Sequence, residues 1–129
     1  ERSQKESILL DMDVEERSLH FISDMDLTTI FSNLLDNAVE ACMKLPPEQR
    51  WIQLKLEQRM GLIRVRIQNS CLSEEEERKL PRDATARSHI CIGLSNVKMT
   101  VKKYDGTAEI HRGLERFDVL LIIPVPNSD

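Results

Sequence analysis

Two stretches of alternation sit back to back in the middle of the chain, and they limit its fold more than any other feature. Trp51-Ile52-Gln53-Leu54-Lys55-Leu56 and Leu62-Ile63-Arg64-Val65-Arg66-Ile67 alternate apolar with polar residues on either side of Met60-Gly61. Successive side chains of a strand point to opposite faces, so the pattern predicts a hairpin with one buried and one solvated face. A sheet of this kind has to cover its apolar face with a second layer.

The cover is predicted from helical periodicity. Leu27, Ile30, Phe31, Leu34, Leu35, Ala38, Ala41 and Cys42 recur at spacings of three and four, with Asp24 or Asp26 placed to cap the start. Pro46 and Pro47 end this helix, because proline lacks the donor that a further turn requires. A second helix is expected from about Leu94 to Lys103, closed by Asp105-Gly106, where glycine can take a left-handed conformation. Residues 8–14 and 19–22 read as edge strands joined by a turn at Glu15-Glu16-Arg17. Ala108-Glu109-Ile110 and Phe117 to Ile123 supply the last strands, with Arg112-Gly113 turning between them, and the final strand is apolar enough to be central. Residues 73–88, with Glu74-Glu75-Glu76-Glu77 and Pro81, are charged and poor in apolar side chains, as in a mobile loop with a short helical turn. The fold class is therefore α+β: a two-layer α/β sandwich, its sheet mixed but mostly antiparallel, with helices on one face.

Composition bears on the partners. A chain of 129 residues fits one domain, spanning residues 1–129, and 40% hydrophobic with 31% charged residues suits a globular protein. The net charge of -4 and the interspersed signs give no basic stripe to neutralise a phosphate backbone, so no nucleic-acid partner is expected. No apolar run approaches the roughly 20 residues that span a bilayer. Cys42, Cys71 and Cys91 are odd in number and widely spaced, which suits neither a disulfide framework nor a zinc site. A reducing cytoplasm is the expected setting.

The chemistry lies on the first helix. Asn33, Asp36, Asn37 and Glu40 fall three and four apart, so their polar groups share one stripe. Such a stripe is also what any solvated helix face looks like. Asparagine is the discordant residue, since it is a mediocre helix former and its amide oxygen is a suitable ligand for Mg²⁺.

The segment FSNLLDNAVEA, residues 31 to 41, resembles the N box of the GHKL ATPase superfamily, which includes histidine kinases, gyrase, Hsp90 and MutL. Downstream, Gly93-Leu94-Ser95-Asn96-Val97 is similar to the GLxNV form of the G2 box in peptide-pheromone quorum-sensing histidine kinases. The resemblance implies a Bergerat-type ATP-binding catalytic domain, excised from a longer sensor histidine kinase. It implies ATP and Mg²⁺ as cofactors, with Asn37 as the metal ligand and Asn33 assisting at the metal or the phosphates. Gly93, Leu94, Ser95 and Asn96 would offer backbone N–H groups at a helix start to phosphate oxygens. Residues 73–88 would form the ATP lid, with Arg82 and Arg87 as phosphate partners.

Hydrolytic relatives carry a Glu one turn before the metal Asn, and here that position is Asn33, which cannot act as a base. Transfer of the γ-phosphate to a protein side chain is favoured over hydrolysis. The implied acceptor is a histidine on a separate helical dimerisation domain of the kinase, with a response regulator further downstream. The whole receptor would be anchored in a membrane through sensor segments outside this chain, leaving this domain in the cytoplasm and inactive by itself.

Two positions depart from the commonest family pattern. Asn69, in Gln68-Asn69-Ser70-Cys71, stands where most histidine kinases have the Asp that accepts from the adenine amino group, and its amide can still accept. Cys91 stands where the G2 box usually has its first glycine, and its side chain would crowd the phosphates. Two other readings are an interaction module that has lost nucleotide binding, for which Cys91 is the best sign, and a serine kinase of the anti-sigma-factor kind, which shares the N box but is disfavoured by Gly93-Leu94-Ser95-Asn96-Val97. His20, His89 and His111 are dispersed and do not resemble an exposed helical acceptor site, while Trp51 and Tyr104 read as packing residues.

Overall fold

A computed structural model describes residues 8–14, 19–80 and 84–126, with the side chains of residues 84–92 outside the description. The elements in chain order are β1 (Leu9–Val14), α1 (Asp24–Met43), a 3-10 turn (Pro47–Gln49), β2 (Trp51–Arg59), β3 (Leu62–Ser70), α2 (Glu74–Arg78), α3 (Ala84–Lys102), β4 (Thr107–Arg112) and β5 (Arg116–Pro124). The strands form one five-stranded sheet in the order β1-β2-β3-β5-β4. Only the β1–β2 pair is parallel. Among the described residues, no helix is long and apolar enough to cross a membrane.

The alternating segments pair as expected. Met60 and Gly61 both have positive φ, 52° and 76°, and link β2 to β3 as a two-residue hairpin whose twist matches that of the strands. Ile52, Leu54 and Leu56 of β2, Ile63, Val65 and Ile67 of β3, and Val119, Leu121 and Ile123 of β5 are buried on one face. The residues between them, including Gln53, Lys55, Arg64 and Arg66, face solvent. On that open face Arg66 reaches across to the Asp118 carboxylate at 3.0 and 3.3 Å.

Helix α1 covers the buried face with Ile30, Leu34, Ala38 and Cys42, one residue per turn, and α3 adds Val97 and Val101. The layers and the one-sided cover agree with the sequence reading. β5 is an interior strand between β3 and β4, although the middle of the sheet is β3.

Four local expectations are corrected. Residues 19–22 form a turn, not a strand; Ile22 drops into the core there, and its N–H donates to the Leu19 carbonyl at 3.0 Å. The expected turn at 15–17 lies outside the described residues. Ser23, not Asp24 or Asp26, caps α1, its hydroxyl accepting from the Asp26 N–H at 3.1 Å. Asp26 is instead held across the helix pair by the Tyr104 hydroxyl and by Lys103 Nζ at 3.0 and 3.1 Å. The left-handed residue after α3 is Asp105, with φ 62°, and not Gly106. Gly106 is required for a different reason: a Cβ there would lie 2.6 Å from Val101 Cγ1 and 2.8 Å from the Ile122 carbonyl oxygen. Finally, α3 begins ten residues before Leu94, at Ala84. Ala84, Ala86 and Arg87 are good helix formers, and the periodicity of Leu94, Val97 and Val101 revealed only the half from Leu94 onward.

Strand β1 contrasts with the rest. Leu10, Met12 and Val14 pair with Ile52, Leu54 and Leu56 and share their face, yet all three are exposed because neither helix reaches that edge.

Two outcomes follow from this packing. Gly106→Ala should lower unfolding stability by about 1–3 kcal/mol, the usual cost of forcing a carbon into a filled site, read as a shift in urea midpoint at constant slope. The Tyr104 and Lys103 hydrogen bonds hold the Asp26 carboxyl below its ordinary 3.8. Their contribution is present above that value and is lost as pH falls through the lowered one. Asp26→Asn should therefore lower the melting temperature at pH 7, and the difference from the parent chain should shrink as pH falls below 3.8.

Candidate nucleotide site

The two helices bring together residues that are far apart in sequence. Asp26 meets Lys103 and Tyr104 at one end of the pair, and Asn33 meets Gly93 further along, so α1 and α3 run antiparallel. A Cβ built on Gly93 would sit 3.2 Å from Asn33 Oδ1. Glycine inside a helix costs about 1 kcal/mol relative to alanine, and here it leaves room for an amide on the neighbouring helix. The Asn33 amide is oriented from its other side, where Nδ2 donates to the Thr29 carbonyl at 2.8 Å.

Asn37 lies one turn after Asn33, half-buried, with no side-chain hydrogen bond to another described residue. Asp36 is exposed, and Glu40 is half-buried on the same side as Asn37. Asn33 directly precedes the buried Leu34, and Asn37 directly precedes the buried Ala38, so both amides stand on the flank of the core stripe. Their exposure is set by that stripe.

Asn69 ends up deeper than an exposed recognition residue would be. It lies near the end of β3 at 1% exposure, opposite Ile52 on β2 and Phe117 on β5, and Nδ2 donates to the Ser70 carbonyl at 2.8 Å. With the amino group so engaged, the amide oxygen is the end left to accept. Next to it, Ser70 Oγ accepts from the Trp51 N–H at 3.0 Å, which ties the start of β2 to the end of β3.

Gly93, Leu94, Ser95 and Asn96 sit in the second half of α3, not at its first turn. Their backbone N–H groups are within the helix, where each has an intrahelical acceptor, so the expected helix-start cradle is absent from this conformation. Leu94 packs against the core, while Ser95 and Asn96 are exposed. Arg82, and the side chains of Arg87, His89 and Cys91, lie outside the described residues.

The charged run of residues 74–77 contains what sequence reading missed. Ser73 caps α2 in a reciprocal box with Glu76. Glu77 does not simply face solvent: it accepts from Lys44 Nζ at 3.1 Å and from Arg112 Nη2 at 2.9 Å. The same Arg112 nitrogen donates to the Leu72 carbonyl at 2.8 Å. Burial pushes the Glu77 carboxyl up, but the bonds and charges of Lys44 and Arg112 outweigh it and hold the group below its ordinary range. Lys44 is eleven residues beyond Asn33, about three helical turns, and so continues the same stripe, but nothing in the sequence marks Glu77 as its partner.

Cys42 is fully buried, its thiol against the Trp51 carbonyl at 3.4 Å, and Cys71 is buried at the end of β3. Burial pushes both thiols up. The burial of Cys42 follows from its place on the core stripe of α1.

Residues 22–124 match the family described as GHKL domain. No match was found among curated proteins. Among solved structures, the catalytic domain of histidine kinase ThkA superposes with a TM-score of 0.70 at 21% identity, over 95% of this chain and 82% of that one. The Acinetobacter baumannii histidine kinase AdeS gives 0.68 at 14% identity, over 98% of this chain and 58% of that one. The histidine kinase domain of the Erythrobacter litoralis EL346 blue-light activated kinase gives 0.71 at 16% identity, over 95% and 55%. The chain thus spans little more than half the length of these last two.

Because thiolates are the reactive form, Cys42 and Cys71 should resist N-ethylmaleimide at pH 7.5 in the native chain and react within minutes in denaturing urea. Peptide mapping by mass spectrometry reads this directly, and rapid native labelling of Cys42 would contradict its burial.

Proposed function

The chain belongs to the GHKL family of ATPase domains and has the fold of histidine kinase catalytic domains, and from that premise we propose that it binds MgATP and presents the γ-phosphate to a histidine on a separate helical domain. The single observation that carries the reading is the meeting of Asn33 with Gly93, 60 residues apart within the matched segment, one turn from the unengaged amide of Asn37.

The residues fit the proposed ligand. Mg²⁺ accompanying a triphosphate takes one or two protein oxygens and completes its shell from phosphates and water. The Asn37 amide oxygen would be such a ligand, with Asn33 beside it. Among the described residues no group of three or more His, Cys, Asp or Glu could hold a metal by itself. Bound Mg²⁺ would neutralise charge on the phosphates as transfer proceeds. Asn69 would accept from the adenine amino group. The N–H groups of Gly93, Leu94, Ser95 and Asn96 would turn to phosphate, which requires the helical turn before Gly93 to open.

With no carboxylate at position 33 to activate water, transfer to a protein acceptor is favoured over hydrolysis. A phosphoacceptor domain of the same kinase and a response regulator are the partners this implies. Membrane attachment, in this reading, resides in other segments of the receptor, and this domain lies in the cytoplasm.

Titration with a fluorescent ATP analogue, with and without Mg²⁺, tests the proposal. Asn37→Ala should abolish the tightening by Mg²⁺ while leaving the melting temperature within a few degrees, since a half-exposed polar helix position contributes little stability. ATP should bind about tenfold or more tightly than GTP, which has a carbonyl where adenine carries its donor, the loss of a hydrogen bond in a buried site being worth that much. Absence of any nucleotide binding would leave the interaction-module reading.

A further inference from the structure

The two edges of the sheet are finished differently. At the β4 edge Ala108 and Ile110 pack against the core, and Glu109, His111 and Arg112 are polar. At the β1 edge the pairing with β2 runs unbroken from Leu9 to Val14. No strand lies on the other side of β1 among the described residues, so its backbone groups that point away from β2 are open to a further strand. Exposed edges are normally blunted by proline, lysine or a bulge, and Leu9-Leu10-Asp11-Met12-Asp13-Val14 has none of these. Leu10, Met12 and Val14 are 51%, 54% and 45% exposed, although they lie on the face that is dry in β2.

We propose that β1 accepts a strand from a partner protein, one whose residues alternate between aliphatic and basic. An added strand presents its side chains to the same two faces as β1 does. On the core face its aliphatic residues cover Leu10, Met12 and Val14. On the open face its basic residues stand beside Asp11 and Asp13. Gln53 Nε2 donates to Asp11 at 3.2 Å. Asp13 has no hydrogen-bond or ion-pair partner among the described residues, and Lys55, its neighbour across the β1–β2 pair, has its ammonium 4.0 Å from Glu57 instead. This docking is separate from nucleotide binding and does not depend on it.

The same two carboxylates decide against a second copy of this chain as the occupant. Antiparallel pairing that keeps both apolar faces on one side overlaps most when centred on Asp11 or on Met12. The first sets Asp11 opposite Asp11, and the second sets each Asp11 opposite the other copy's Asp13. Like charges directly opposite oppose pairing, whereas opposite charges at the same places favour it. A partner strand with Lys or Arg there converts a repulsive contact into an attractive one, while main-chain bonds along the edge supply affinity.

The test uses three fluorescently labelled peptides: Lys-Val-Lys-Ile-Lys-Val, the same peptide with Glu in place of Lys, and the Lys form with every backbone N–H methylated. Affinity is read from fluorescence anisotropy and the place of binding from hydrogen exchange of residues 9–14. The Lys peptide should bind and slow exchange in 9–14, the Glu peptide should bind far more weakly, and the methylated peptide should not bind. Replacing both carboxylates, Asp11→Asn with Asp13→Asn, should weaken the Lys peptide by about threefold to tenfold, the range of two cross-strand charge pairs. Met12→Thr, which keeps a strand former and removes apolar surface, should weaken it as well. Glu109→Gln at the opposite edge should leave it unchanged, and the melting temperature should move by no more than a few degrees in every variant, since all these positions are exposed. No binding of the Lys peptide at millimolar concentration would overturn the proposal. So would equal binding of the Glu peptide, or an equal loss in Glu109→Gln, which would reduce the contact to general attraction toward a chain of net charge -4. Undiminished binding of the methylated peptide would overturn strand addition. A dimer of the parent chain in sedimentation at pH 7 that protects residues 9–14 would assign the edge to a second copy and overturn the partner.

Discussion

The apolar face of the sheet is the constraint from which the rest of the structure follows. Nine aliphatic side chains from β2, β3 and β5 point to one side and must be dried, each worth about 1.5–3 kcal/mol when fully buried. Two helices do this, and α1 does so with one residue per turn: Ile30, Leu34, Ala38 and Cys42. Such a narrow stripe leaves almost no freedom of rotation about the helix axis. Asn33 and Asn37, each one residue before a core position, are thereby fixed at the border between the sheet-facing side and solvent. Hydrophobic burial, which is non-directional, becomes directional here because it sets the angle at which two amides are displayed.

Polar contacts then decide how the helices lie along one another. Tyr104 and Lys103 hold Asp26 at one end of the α1–α3 pair, and further along Gly93 admits the Asn33 amide. The first contact satisfies a largely buried carboxylate that would be costly to leave unpaired. The second is a close approach that any larger residue would disturb. Between them they set the offset of α3 against α1, and with it the neighbours of the asparagine stripe.

A tension remains between the helix and the site it helps to build. In this conformation α3 runs unbroken through Gly93 to Asn96, so the amides that the resemblance assigns to phosphate are already bonded within the helix. A nucleotide would have to offset the opening of that turn, and its phosphates are the group best able to do so, since helix N-termini attract anions. The structural likeness to histidine kinase catalytic domains, at identities of 14 to 21%, speaks to the fold. The chemistry rests on the residues themselves, the amide at position 33 among them.

What the sequence determined by itself was whatever periodicity can encode. Alternation at 51–56 and 62–67 specified the hairpin and its buried face, Met60-Gly61 its turn, and spacings of three and four the stripe of α1 and the position of Asn33 and Asn37 on it. The matched motif supplied the family. Tertiary structure alone decided what depends on partners distant in the chain. The cap of α1 went to Ser23 because Asp26 was taken by Tyr104 and Lys103. The left-handed turn fell to Asp105 because Gly106 was needed where Ile122 passes. The first half of α3 was invisible because Ala84 to Ser88 show no apolar recurrence at spacings of three and four. Glu77, inside a run of four glutamates that reads as solvated, became an anchor only when folding brought Lys44 and Arg112 to it. No local pattern distinguishes one acidic residue from its neighbours; charge pairing across the fold does.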